Sequence, residues 1–420
     1  MDRIAIIGGR PLYGAIPISG AKNSALKLMA AALLTDEALE LTRVPALRDT
    51  VQLRELLTAL GVRFETPKAQ SMTLSAKTIE STVAPYELVR KMRASFNVLG
   101  PLLAREGRAK VSLPGGCAIG ARPVDLHLKA LSAMGAEIDL EDGYVVASAP
   151  RGLTGARVTF PFVSVGATEH ALMAACLAKG ETVLENAALE PEIGDLADCL
   201  VKMGAEIDGV GGSTLRIQGK GRLGGARHDV IADRIETGTY LMAVGAAGGE
   251  LRLQGARADT LRAVVAALTG MGLEIEEVED GLVARKSGDR LSRVDVVTQP
   301  YPGYPTDLQA QIMALAAMAD GVSKIKETIF ENRFMHAPEL GRMGADISID
   351  GKIATIRGRQ RLKGAEVMAT DLRASVSLVL AALGAEGQSI VHRVYHLDRG
   401  FEKLEDKLSA CGALIERLKD

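Results

Sequence analysis

A five-residue phrase recurs along this chain at a spacing that dictates its architecture. Met134-Gly135-Ala136-Glu137-Ile138, Met203-Gly204-Ala205-Glu206-Ile207, Met271-Gly272-Leu273-Glu274-Ile275 and Met343-Gly344-Ala345-Asp346-Ile347 share one pattern. Looser copies lie at Leu60-Gly61-Val62-Arg63-Phe64 and Cys411-Gly412-Ala413-Leu414-Ile415. The six glycines stand 68 to 74 residues apart. That period is too long for one turn of most solenoids, so each copy predicts a small α/β subdomain.

The units read alike. Each opens with a polar cap segment and an apolar helix, as in Ser19–Ser24 before Ala25–Leu34, or Ser164–Thr168 before Glu169–Ala178. A strand such as Glu181–Leu184 follows, then a second, amphipathic helix that the repeat glycine ends as a C-cap. Two strands close the unit, for instance Ala205–Asp208 and Leu215–Gln218. The sixth copy reaches Asp420 without its second closing strand, whereas Asp2–Gly8 resembles the closing strands Thr214–Gly219 and Ala354–Gly358. Residues 1 to about 20 are therefore expected to complete the last unit. The domain reading is a discontinuous domain of residues 1–20 and 232–420, with residues 21–231 inserted as a second one. Two chain crossings would leave a hinged interdomain cleft for ligands.

Composition narrows the chemistry. A formal net charge of -2 gives no broad field for nucleic acid or an anionic membrane surface. Aromatic residues make up only 3% and Trp is absent, which removes the stacking platforms of single-strand binders. No apolar run approaches the roughly 20 residues that span a bilayer. Met1–Ile7 carries an early acid and runs into Gly8-Gly9, so it reads as a strand and not as a secretory leader. A cytoplasmic enzyme of small molecules is expected. Cys117, Cys176, Cys199 and Cys411 are scattered without metal-ligand spacing, and no Walker or dinucleotide fingerprint is present. Neither a metal nor a cofactor is expected.

Any phosphate chemistry must then come from local clusters. Arg48, Arg122 and Arg399 each lie thirteen residues before the glycine of their unit, and Arg333 eleven before. At the start of the first helix the units place Lys22-Asn23, Arg93, Arg234, Asp307 and Arg373. Basic side chains at helix N-termini make anion sites, and planar guanidinium suits phosphate and carboxylate. Arg48 reads as a solvated charge. Cys117 follows Pro114-Gly115-Gly116 and precedes Arg122, a setting for either a buried thiol or a reactive one. Asp307, after Tyr304-Pro305-Thr306, fits a helix cap or a general base equally well.

Seven segments resemble the enolpyruvyl transferases that act on UDP-N-acetylglucosamine. They are Ile18–Asn23, Met92–Ser95, Leu113–His127, Tyr304–Gln309, Phe330–Phe334, Thr370–Ala374 and His396–Gly400. The resemblance runs from Ile4 to the C-terminus. It implies an α/β fold, a two-domain inside-out α/β barrel of six βαβαββ repeats, and transfer of enolpyruvate from phosphoenolpyruvate to the sugar 3'-hydroxyl for peptidoglycan synthesis. By that similarity Lys22, Asn23, Arg122, Arg333, Arg373 and Arg399 would hold phosphoenolpyruvate. Arg93, Arg122, Pro123, Val124, Asp125, Leu126, Ser164, Val165, Asp307 and Ile329 would hold the nucleotide sugar, with Asp371 in support. Cys117 would donate a proton and be open to alkylation by fosfomycin, Asp307 would be the base, and Lys22 and Arg399 would join them in catalysis. One position departs: relatives carry a Lys where this chain has Phe162. That contact is absent or replaced by ring stacking on the uracil. The alternatives are transfer to shikimate 3-phosphate, which the Cys117 loop and Arg122–Leu126 argue against, and a non-catalytic UDP-sugar-binding paralogue.

Overall fold

The repeat glycine performs the same task in all six units. Gly61, Gly135, Gly204, Gly272, Gly344 and Gly412 follow the second helix with φ between +89° and +107°, a region that costs glycine nothing. Each donates its N–H to the carbonyl three residues back at 2.9–3.0 Å. In five units the next residue closes a second bond, at 2.9–3.1 Å, to the carbonyl of Leu57, Leu131, Leu200, Leu340 or Leu408. Paired bonds of this kind satisfy the last carbonyls of a helix and reverse the chain into the closing strands.

The structure, a computed structural model, describes residues 2–114, 124–288 and 290–419. It contains six four-stranded sheets of one plan. The unit of residues 157–218 is uninterrupted: strand Arg157–Thr159, helix Val165–Ala175, strand Glu181–Glu185, helix Pro191–Lys202, then strands Glu206–Asp208 and Thr214–Gln218. The first strand runs parallel to the second, which pairs antiparallel with the fourth, and the third lies outermost. Three sheets borrow a strand from far away in sequence. Arg3–Ile7 sits between Gln388–His392 and Leu414–Leu418 as the last strand of the sixth sheet. Ala226–Asp229 is the first strand of the first sheet, beside Ala38–Thr42, and Leu12–Pro17 pairs with Gly249–Gln254 in the fourth.

The chain divides into two compact units, residues 1–19 with 232–420 and residues 20–114 with 124–231. In the former, helices Arg234–Ala247, Gln309–Ala317 and Ser375–Gly384 pack on one another and each on its own sheet. They are apolar on nearly every side. All of Gln309–Ala317 is buried, and only Ala246 and Ala247 of the first helix are not. Such helices belong inside a core. The second helices are amphipathic: Pro191–Lys202 buries Ile193, Leu196, Cys199 and Leu200 along one stripe. Closing strands alternate, as in Thr214–Gln218, where Leu215 and Ile217 face in. Helices therefore lie inside and sheets outside, as the inside-out reading expects. The sheets stay open, and among the described residues none closes into a hydrogen-bonded barrel.

Two helix starts differ from the expected ones. The first helix begins at Lys22 and not Ala25, and the one after Ser164 begins at Val165 and not Glu169. Ser164 does cap its helix, accepting a bond from Ala167 N at 3.4 Å. Ser19 does not cap the helix beginning at Lys22. Its N–H goes to Glu236 at 2.7 Å and its hydroxyl to Glu402 at 2.7 Å.

The glycine turns give a graded prediction. A Cβ at Gly204 or Gly344 meets nothing within 4 Å, so alanine there should cost only backbone strain, about 1–2 kcal/mol. At Gly61 a Cβ would lie 2.7 Å from Glu80 N, and Gly61→Ala should lower the urea midpoint further than the other two.

Candidate functional site

In the unit of residues 20–231 the first helix, Lys22–Ala31, carries its cation on its first turn. Lys22 Nζ is 2.7 Å from Asp49 Oδ2, and both side chains are buried. Asp49 lies in the first turn of helix Arg48–Ala59, where the helix dipole favours a carboxylate. The sequence reading passed over Asp49: a lone acid at a helix start has the signature of an ordinary N-terminal charge. Arg48 beside it is exposed. Ser24 Oγ donates to Asp195, which also accepts from His228 Nε2 at 2.8 Å, so the helix start is fixed from behind. Deeper along the same helix, Lys27 Nζ is 2.6 Å from Glu169 Oε2. Burial pushes the Glu169 carboxyl up to about 7 despite that lysine.

Asn23 and Arg93 are half-buried, the latter opening the short segment Arg93–Val98. Val124 and Leu126 bury their side chains, leaving backbone as their polar function. Asp125 faces Lys129 at 3.6 Å one turn on. Ser164 and Val165 form the start of helix Val165–Ala175, and Phe162 stands 59% exposed just before it. Cys117, Arg122 and Pro123 lie outside the described residues.

In the other unit the charged residues converge. Asp307 occupies the turn Thr306–Leu308 that feeds helix Gln309–Ala317. Its carboxylate does not cap that turn. It faces Arg333 Nη2 at 2.6 Å and Arg373 Nε at 3.5 Å. Both guanidiniums are buried and Asp307 is partly so. Burial alone would raise the Asp307 carboxyl. Arg333, Arg373, the Arg333 hydrogen bond and Arg234 outweigh it and hold the group well below the usual carboxylate range. Asp307 is an anion at neutral pH.

Each guanidinium is itself fixed. Arg333 Nη1 donates to Thr306 Oγ1 at 2.8 Å. Arg373 Nη1 donates to Gly400 O at 3.2 Å, and its Nη2 lies 3.8 Å from Asp233 Oδ2. Asp371 Oδ1 accepts from Arg373 N at 2.7 Å and Ala374 N at 2.8 Å, the capping geometry that Asp307 lacks. Arg399 ends the segment Val394–Arg399 and is half-buried, one residue before the Gly400 carbonyl that holds Arg373. Ile329 lies in the loop leading to Arg333. Asp307, Arg333, Arg373 and Asp371 are thus one cluster. Asp233 and Thr306 belong to it as well. Only three-dimensional packing reveals their part in it: Asp233 carries no motif, and Thr306, though inside Tyr304–Gln309, has no charge to mark it.

Three comparisons bear on this arrangement. A family model described as EPSP synthase (3-phosphoshikimate 1-carboxyvinyltransferase) matches residues 6–408. The UDP-N-acetylglucosamine 1-carboxyvinyltransferase of Maricaulis maris (strain MCS10) is 64% identical, with 100% of both chains covered. That of Caulobacter vibrioides (strain NA1000 / CB15N) is 61% identical over 100% of this chain and 98% of its own. Among solved structures, the enolpyruvyl transferase NikO from Streptomyces tendae superposes with a TM-score of 0.87 at 26% identity, covering 100% of this chain and 99% of that one. An EPSP synthase from Acinetobacter baumannii gives 0.78 at 18% over the whole of both, which speaks to fold alone.

The charge cluster predicts a pH-dependent stability term. A carboxyl whose folded pKa is depressed stabilises fully above its unfolded value and loses that contribution as pH falls toward the folded one. Asp307→Ala should therefore cost about 3 kcal/mol at pH 7, with the gap to the parent narrowing below about pH 4 in urea titrations.

Proposed function

The chain belongs to the EPSP synthase family of enolpyruvyl transferases, and on that footing we propose how its residues divide the reaction. The activity is transfer of the enolpyruvyl group of phosphoenolpyruvate to the 3'-hydroxyl of UDP-N-acetylglucosamine, with release of phosphate, for peptidoglycan synthesis. Shikimate 3-phosphate is the less supported acceptor: full-length relatives at 60–64% identity carry the nucleotide-sugar name.

The chemistry is addition followed by elimination. A proton goes to C3 of phosphoenolpyruvate while O3' of the sugar, giving up its own proton, bonds to C2. The C2–O bond to phosphate then breaks and a C3 proton leaves, restoring the enol ether. Cys117 delivers the C3 proton and Asp307 accepts the hydroxyl proton. Lys22, Arg122 and Arg399, with Asn23, Arg333 and Arg373, clamp phosphate and carboxylate as positive charge develops between them. Arg93, Arg122, Pro123, Asp125, Ser164, Val165 and Ile329 hold the nucleotide sugar, and Val124 and Leu126 contribute backbone groups. Asp371 fixes the backbone at Arg373. Phe162 offers a ring face to the uracil. The substrates are cytoplasmic metabolites, and no described helix is long and apolar enough to cross a membrane.

One observation carries the assignment of the base: an ionised carboxylate, Asp307, held by two buried guanidiniums. Bound alone to them it is a weak base. An arriving phosphoenolpyruvate competes for Arg333 and Arg373, and each bond they give up raises the proton affinity of Asp307. The group becomes basic when the 3'-hydroxyl proton is to be taken. Lys22 is treated likewise, with Asp49 as counter-ion until the substrate supplies another.

Phosphate release should require both substrates and fail when shikimate 3-phosphate replaces the nucleotide sugar; release with either substrate alone would overturn the reading. Asp307→Asn should lower kcat about 10²–10⁴-fold. Cys117→Asp should keep turning over, since a carboxylic acid can also donate the proton, yet survive fosfomycin treatment that silences the parent.

A further inference from the structure

The repeat shows where the fifth unit departs from four of its siblings. Parallel pairing aligns Thr42, Glu185, Gln254, Lys326 and His392 as equivalent strand-end residues. In four units the next residue turns into the left-handed region: Arg43, Asn186, Gly255 and Arg393, with φ between +55° and +79°. In the second unit Leu113, after strand Arg108–Ser112, makes no such turn, and in the fifth neither does Glu327. The strand alternation continues through it instead, with Ser323, Ile325 and Glu327 all buried. A carboxylate is thereby set on the inward face.

Its oxygens are fully engaged. Oε1 accepts from Thr298 Oγ1 at 2.9 Å, Ile329 N at 2.7 Å and Phe330 N at 3.1 Å. Oε2 accepts from Thr306 Oγ1 at 2.8 Å. Thr306 has one hydroxyl proton, and giving it to Glu327 turns a lone pair toward Arg333 Nη1 at 2.8 Å. The other arm of that guanidinium holds Asp307. One buried carboxylate thus shapes the Ile329 loop and, through one hydroxyl, aims the arginine that grips Asp307.

We propose that Glu327 is a positioning residue for the transfer reaction, orienting Asp307 through Thr306 and Arg333 and the nucleotide-sugar loop through the Ile329 and Phe330 amides. This rests on Asp307 being the base. Glu327→Gln tests it with little change of shape. The amide nitrogen cannot face the three donors at Oε1, so it must face Thr306. Thr306 then receives a hydrogen bond there, and its own proton is free to swing against Arg333.

The experiment is a pH profile of kcat and of kcat/KM for UDP-N-acetylglucosamine in the full-length enzyme, comparing Glu327→Gln, Thr306→Val, the double variant and Asp307→Asn. Glu327→Gln and Thr306→Val should each lower kcat about tenfold to hundredfold and move the acid limb up by about one pH unit. Only Glu327→Gln should also raise KM for the nucleotide sugar. The double variant should be no worse in kcat than the poorer single one, because both cut the same relay. Losses that multiply, or an acid limb that stays in place, would overturn the proposal. If Glu327→Gln does not fold, Thr306→Val still reports the relay through its acid limb. Full activity in Asp307→Asn would instead sink the base assignment, whatever the Glu327 variants do.

Discussion

A helix buried on every side must put its charges at its ends or pair them within the core, as Lys27 does with Glu169, and this molecule is organised around that constraint. The central helices Gln309–Ala317 and Ser375–Gly384 are wholly or almost wholly buried. Their first N–H groups have no intrahelical partners and need acceptors from the incoming chain. Asp371 supplies them in the turn entering Ser375–Gly384, at 2.7 and 2.8 Å, and Asp233 does the same for the neighbouring buried helix Arg234–Ala247, at 2.8 and 3.1 Å. Functional side chains crowd into the same few residues: Lys22, Arg234, Asp307 and Arg373 all stand at or within two residues of a helix start. The core dictates where charge can gather, and the candidate site is that place.

Gathering cations in low dielectric requires that they be balanced when no substrate is there. Lys22 rests on Asp49, and Arg333 and Arg373 on Asp307. A buried charge left unpaired costs several kcal/mol, and one paired too well cannot turn to a ligand. Here the counter-ions meet that demand differently. Asp49 is almost wholly buried, whereas the Asp307 side chain keeps 26% of its exposure, as the base role proposed for it requires.

Much of this was legible in the sequence, for identifiable reasons. At the φ of +89° to +107° that these turns take, glycine is strongly favoured over any other residue, so six of them at near-equal spacing announce the units. Closing strands announce themselves by alternation, and Asp2–Gly8 was recognisable because it copies that alternation. Helix starts were less legible. Lys22 opens its helix without a side-chain cap, so no polar residue marks the boundary. The other buried acids were not legible at all. Asp49, Asp233 and Glu327 are single acids whose meaning lies in partners on other elements, and Glu327 stands out only against the left-handed residue of four sibling units.

The borrowed strands impose a schedule on synthesis. Ala226–Asp229 completes its sheet with Ala38–Thr42, so residues 20–231 have all their pairing partners once that segment leaves the ribosome. Arg3–Ile7 is made long before both its partners, Gln388–His392 and Leu414–Leu418. At translation rates of about 5–20 residues per second that strand waits tens of seconds with both edges unsatisfied. The nascent chain must carry an apolar β-segment through that interval.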